Sequence, residues 1–174
     1  MKKLLIVVDF QNDFVDGSLG FEKAVEIAPV IKSKLDKYLN NNDDVIFTLD
    51  THQDNYMETM EGHKLPIVHC IKNTKGWELY PLIKDYQKKA IKVFEKPTFP
   101  SLDLANYLKD KDYQEVEVCG LVSNICVISN AIMVKAALPN AKIFVDSKAT
   151  ASSFDKLHEE TFDVLEGLHI DVIR

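Results

Sequence analysis

The chain of 174 residues has little that would carry it into a membrane, an extracellular framework or a nucleic-acid complex. Its opening, Met1-Lys2-Lys3 followed by Leu4 to Val8, imitates a leader, but the apolar run stops at Asp9. That is too short for a signal-peptide core or a membrane span, and it reads as a buried strand. Cysteine is scarce and odd in number: Cys70, Cys119 and Cys126, with no CxxC. This points away from a disulfide framework and toward a reducing cytosol. There is no dense Lys/Arg stripe, and the net charge is -6, which argues against nucleic acid as a partner. The lysines between Lys84 and Lys96 are interspersed with acids and read as a solvated face. Neither GxGxxG nor a P-loop is present, so no phosphate cradle is on offer. No repeat, low-complexity tract or linker interrupts the chain, which is expected to form one domain over residues 1–174.

What is there alternates. Leu4-Leu5-Ile6-Val7-Val8, Val45 to Leu49, Ile91 to Phe94, Val116 to Cys119, Lys142 to Val145 and Ile170 to Ile173 read as six short strands. The first is continuously apolar, as a strand buried on both faces should be. Between them lie helical patterns. Ile27, Ile31, Leu35 and Leu39 recur every four residues and end at Asn40-Asn41-Asn42. Ser101 opens a short helix with Leu104 and Leu108; Ile125, Ile132, Met133 and Ala136 line another; Ser152 or Ser153 caps a last one carrying Leu157, Val164 and Leu165. Repeated β–α alternation predicts an α/β, three-layer α/β/α, Rossmann-like fold with a six-stranded, mainly parallel sheet.

In such sheets ligands bind outside the carboxyl ends of the strands, at the topological switch point. Asp9, Asp50, Lys96 and Gly120 stand at or just beyond four of those ends. Cys126 follows Gly120 by a short turn, where the first N–H groups of a helix favour a thiolate. Taken alone, Cys126 is more readily a packing residue than a nucleophile. The long connection from Asp50 to Ile91 is the irregular part, and long connections in compact domains are usually functional. It contains Asp50-Thr51-His52, then His63 and His69. Asp and His one residue apart, with a later His, suit a divalent metal with open positions, although loop histidines are commonly surface groups.

Together these segments resemble the isochorismatase-like cysteine hydrolases, the superfamily that contains nicotinamidases. Val7-Val8-Asp9-Phe10-Gln11-Asn12-Asp13-Phe14 resembles its DxQNDF opening, and Asp50-Thr51-His52 its DxH metal motif. Leu65 to Cys70, followed by Thr74 to Pro81, is similar to the segment with its next metal histidine. Glu95-Lys96-Pro97 falls where its catalytic lysine lies, and Gly120 to Val127 resembles its nucleophile motif. The matches run in order over most of the chain. The resemblance implies a catalytic triad of Asp9, Lys96 and Cys126, with Lys96 lowering the thiol's pKa and Asp9 acting as base, then acid. It implies an oxyanion hole from the backbone N–H groups of Val122 and Cys126, and a cis peptide between Leu121 and Val122. It implies a divalent metal, zinc first, with iron or manganese as alternatives, held by Asp50, His52 and His69. Glu61 or His63 is the candidate fourth ligand, and Cys70 is a packing residue.

The implied reaction is hydrolysis of a small-molecule amide, nicotinamide above all, which belongs to NAD salvage. A related amidase or ureide hydrolase, a non-catalytic binding member, or a phosphatase using Asp9 are the alternatives. The last usually wants a second Asp where Gln11 stands. Phe14 matches a ring-stacking position. The aromatic that several nicotinamidases place before the metal histidine is missing at Leu65-Pro66, and Trp77 is a candidate to close the pocket from another side. The family also implies a cytoplasmic homo-oligomer, a dimer or tetramer.

Overall fold

In a computed structural model of the chain, which describes residues 2–174, the six apolar runs form one sheet. Its strands are β1 (Lys3–Val8), β2 (Asp44–Asp50), β3 (Lys92–Lys96), β4 (Glu115–Leu121), β5 (Lys142–Ala151) and β6 (Asp171–Ile173). The order is β3-β2-β1-β4-β5-β6, and every pairing is parallel rather than mainly so. The winding of the chain reverses between β1 and β4, which is therefore the switch point.

The continuity of the first strand has a simple cause. Leu4, Ile6 and Val8 face one core, with Val116, Val118, Val134 and Leu165. Leu5 and Val7 face the other, with Ile31, Leu35 and Phe47. Each such fully buried aliphatic contributes about 1.5–3 kcal/mol relative to exposure. Helix Ala28–Asn40 covers the second face and buries Ala28, Ile31, Leu35 and Tyr38. Helices Leu102–Leu108, Ile128–Ala137 and Asp155–Gly167 cover the first. Among the described residues no helix is long and apolar enough to cross a membrane.

Two helix faces depart from the sequence pattern. After β4 the chain makes a π-helical turn, Ser123–Val127, before the regular helix begins. A π turn takes more residues per turn than an α-helix and shifts the phase of the helix beyond it. The inward residues are consequently Asn130, Ala131 and Val134, whereas Ile125 and Ile132 are exposed. In the last helix Thr161, Phe162 and Leu165 point inward, and Leu157 and Val164 are exposed. Neither serine caps it. Phe154 occupies the cap position, and its N–H donates to Ser152 Oγ at 3.1 Å.

The switch point itself requires a glycine. Gly120 has φ +109°, and a Cβ there would lie 2.1 Å from the Val8 carbonyl oxygen. The close approach of β1 and β4 brings their following loops side by side.

Candidate active site

Four adjacent strand ends deliver the chemistry. Asp9 leaves β1 with φ 47°, and its N–H donates to the Thr48 carbonyl at 3.1 Å. Asp50 on β2 and Lys96 on β3 are direct cross-strand partners. Beyond β4 the π-helical turn carries Cys126 back over them. Lys96 Nζ consequently lies 2.5 Å from Asp9 Oδ2, 3.4 Å from Asp50 Oδ1 and 3.6 Å from Cys126 Sγ. It also donates to the Thr98 carbonyl at 3.0 Å. The other Asp9 oxygen accepts from Thr48 Oγ1 at 2.6 Å. Asp9 and Lys96 are buried, and Cys126 is 4% exposed.

Burial governs the electrostatics here. It would lower the Lys96 pKa, but the charges of Asp9, Cys126 and Asp50 outweigh it and raise the value, so the ammonium is fixed. Burial raises the Asp9 carboxyl despite the attraction of Lys96. Burial also pushes the Cys126 thiol well above its ordinary value; Lys96 pulls it down, while Asp9 and Asp50 push it up again. Lys96 thus lowers the thiol's pKa, as expected of it, but burial together with the two carboxylates outweighs that pull. Its single charge is shared with two carboxylates, both of them closer to it than the sulfur.

Next to this group, Asp50, His52, Glu61 and His69 converge, with their donor atoms all within 4.8 Å of one another. His52 Nε2 is 3.0 Å from Asp50 Oδ2 and 3.6 Å from Glu61 Oε1; His69 Nε2 is 3.4 and 3.7 Å from the same atoms. A tetrahedral ion with bonds of about 2.1 Å separates its donors by about 3.4 Å, so this donor set fits one. His69 Nδ1 lies 2.7 Å from the Ile67 carbonyl, which can only accept, so the proton sits on Nδ1 and Nε2 is the free ligand atom. Burial would raise Asp50, yet the neighbouring His52 and His69 imidazoles and the Lys96 charge hold it well below the usual carboxylate range. Of the two candidates for a fourth position, Glu61 joins the cluster. His63 is exposed and does not.

Several residues that fix this geometry carry no signal of chemistry in the sequence. Gln11 clasps the Asp50 backbone from both sides, donating to its carbonyl at 2.9 Å and accepting its N–H at 2.8 Å. Asp13 Oδ2 accepts the Cys70 N–H at 2.7 Å, which anchors the residue next to His69. Tyr56 is buried with its ring 4.7 Å from His52 and 5.0 Å from His69, and donates to the Leu65 carbonyl. Asn130 donates to the Cys126 and Phe99 carbonyls at 2.8 and 3.0 Å and accepts the Ser101 N–H. Gln11 and Asp13 were visible only as part of a motif; Thr48, Tyr56 and Asn130 look like ordinary strand, loop and helix residues.

Both clusters open into one cavity of about 200 Å³. Asp50, Glu61, His69 and Cys126 line it, and the rest of its wall is largely apolar, including Phe14, Phe21, Leu65, Phe99, Ile125 and Phe154. The volume is below the ~300–1,000 Å³ of typical drug-sized sites. Phe14 is a wall and meets His69 edge-on at 5.5 Å. Leu65 takes the place of a second stacking ring, and Phe21, Phe99 and Phe154 add aromatic surface the sequence did not single out. Trp77 is not part of the wall. Its indole N–H donates to Thr51 Oγ1 at 2.8 Å, a partner that turns the ring away. The Leu121–Val122 peptide is cis.

The isochorismatase domain model matches residues 3–174. The chain belongs to the isochorismatase family. It is 31% identical over 163 residues to an uncharacterized isochorismatase family protein, PncA, of Bacillus subtilis (strain 168), with 87% of each chain covered. The crystal structure of nicotinamidase PncA from Bacillus subtilis superposes with a TM-score of 0.87 at 28% identity over 100% of both chains. A pyrazinamidase of Pyrococcus horikoshii, solved in complex with zinc, shares the fold with a TM-score of 0.86 at 22% identity, covering 100% of this chain and 99% of that one. The protein is thus an isochorismatase-family hydrolase of nicotinamidase-like structure.

Proposed function

We propose that this protein is a metal-containing cysteine amidase that converts nicotinamide to nicotinate and ammonia. One observation carries the reading: a single buried ammonium, Lys96, contacts both a carboxylate and a thiol at the mouth of a four-donor metal cluster, in one small cavity. Catalytic roles fall to Asp9, Lys96 and Cys126. Asp50, His52, His69 and Glu61 would hold a divalent ion, and two imidazoles with two carboxylates suit zinc, with iron or manganese also compatible. When bound, that ion supplies a Lewis-acid anchor for a ring nitrogen.

In the resting site the thiol is protonated, so the first event is proton transfer. Asp9, with its raised pKa, takes the Cys126 proton while Lys96 stabilises the emerging thiolate. The sulfur attacks the carboxamide carbon, and the oxygen's new charge is received by the N–H groups of Val122 and Cys126. Asp9 returns its proton to the amide nitrogen; the C–N bond breaks and ammonia leaves. Water then adds to the acyl-thioester, giving its proton to Asp9. Collapse expels the thiolate, which regains the proton, and the carboxylic acid product ionises. Phe14 and the apolar wall hold the ring against this end of the cavity. Among the described residues no lysine or arginine lines the cavity, and Lys96 is held by two carboxylates. That favours an uncharged amide over a carboxylate-bearing ureide.

Ammonia release from nicotinamide, with a panel of small amides beside it, tests the reading. The expected result is turnover that Cys126→Ala abolishes. Activity persisting in Cys126→Ala would sink the mechanism.

A further inference from the structure

The turn that carries Cys126 is held on one flank by Asn130, and on its other flank by a residue outside every motif segment. Ser123 is buried, immediately follows Val122, and its Oγ lies 2.8 Å from His158 Nδ1. His158 sits on the last helix, half-buried, with its ring packed edge-on against Phe162 at a centroid distance of 4.5 Å. The same helix begins next to Ser153 and Phe154, which form part of the cavity wall. One rigid element therefore touches both the cavity and the turn.

We propose that His158 is a positioning residue of the amide-hydrolysis reaction: through Ser123 Oγ it fixes the Val122–Cys126 turn whose N–H groups receive the oxyanion. The inference rests on the functional reading above. The hydroxyl of a buried serine needs a partner, and leaving it without one costs free energy that the turn would relieve by moving. A shift of even a fraction of an ångström matters for donors aimed at a developing charge. Ground-state binding does not use those donors fully, so the effect belongs in kcat rather than KM.

Four proteins decide the matter: wild type, His158→Ala, His158→Asn, and Ser123→Ala with His158→Ala. In His158→Ala, kcat for nicotinamide is expected to fall about ten- to hundredfold with KM within twofold. Asn, which can still hydrogen-bond to Ser123, restores most of it. Adding Ser123→Ala to His158→Ala costs little more, because both act through one contact. A second probe reads the hole without turnover. Nicotinaldehyde adds the Cys126 thiol to its carbonyl, the thiol proton ending on the hemithioacetal oxygen, which occupies the hole; its affinity should fall about tenfold in His158→Ala. Alkylation of Cys126 by iodoacetamide, which needs no oxyanion hole, should stay within twofold.

Unchanged kcat in His158→Ala, or a loss confined to KM, overturns the proposal. So does an alkylation rate that falls in step with kcat, since that marks general disorder of the site. If wild type hydrolyses no amide, the functional reading falls, and the aldehyde comparison alone decides: equal affinities overturn the role of His158, and tenfold weakening upholds it. A wild type that forms no aldehyde adduct overturns both.

Discussion

Replacing Asp9 by asparagine should make Cys126 more reactive toward a simple alkylating agent while destroying amide hydrolysis. The reasoning uses only the geometry around Lys96. Asp9 Oδ2 and Cys126 Sγ lie 2.5 and 3.6 Å from the same Nζ, so they are at most about 6.1 Å apart. At an effective dielectric constant of about 20, like charges that far apart repel by about 2.7 kcal/mol. An energy of that size is about a 100-fold change in an equilibrium constant. As the base of the proposed reaction Asp9 starts as the carboxylate, which opposes thiolate formation in addition to the burial that already raises the thiol. Removing the charge raises the thiolate fraction about 100-fold below the pKa. The weaker nucleophilicity of a less basic thiolate, with a Brønsted slope of about 0.45, takes back almost half of this on a logarithmic scale. The net gain is about tenfold.

Iodoacetamide labelling at pH 8, followed by mass spectrometry, reads the effect at one site, because Cys70 and Cys119 are fully buried. In the same variant kcat should drop by about 10²–10⁴, since no group remains to carry the proton from sulfur to nitrogen. The combination is diagnostic: a nucleophile freed, a reaction lost. Labelling at the wild-type rate or slower, in a variant with an unchanged thermal melt, would show that Asp9 does not set the charge balance at Cys126.

Three other parts of the structure make predictions of their own. Glu61→Gln should weaken zinc binding at least about tenfold in a calorimetric titration, a loss of the size seen when metal-site partners are removed, whereas His63→Ala should leave it unchanged; the reverse pattern would exchange their roles. Gly120→Ala places a methyl group 2.1 Å from the Val8 carbonyl oxygen in a backbone region hostile to L-residues, and should cost more than about 3 kcal/mol in urea unfolding; a cost below about 1 kcal/mol would contradict that close approach. In metal-free protein Asp50 is more acidic folded than unfolded, so its contribution to stability is present above the unfolded value near 3.9 and is lost as pH falls below it. Thermal melts from pH 7 to pH 3 should therefore fall more steeply for wild type than for metal-free Asp50→Asn, and parallel slopes would refute the assignment.

The legible part of this protein is what topology alone determines. Strands buried on both faces must be continuously apolar, so Leu4 to Val8 and Val45 to Leu49 identify themselves, and parallel winding then sends Asp9, Asp50 and Lys96 to one edge. What resists reading depends on local phase and on distances. The π-helical turn at Ser123–Val127 displaces the helical register, so Ile125 and Ile132 imitate a core face that Ala131 and Val134 actually form. Glu61 and His63 differ by half a helical turn, and only the seating of helix Met60–Lys64 chooses between them. Trp77 is large and adjacent in sequence to the right loop, yet a hydrogen bond to Thr51 decides where it points. Thr48, inside an apolar strand, offers no hint that its hydroxyl grips the Asp9 carboxylate. Cys126 marks the limit most clearly. A lysine beside a cysteine lowers a thiol's pKa, but Lys96 stands closer to Asp9 than to the sulfur, and all three side chains are buried. Burial, with Asp9 and Asp50 added to it, outweighs Lys96 and sets the upward direction of the thiol's pKa, a balance that no residue spacing encodes.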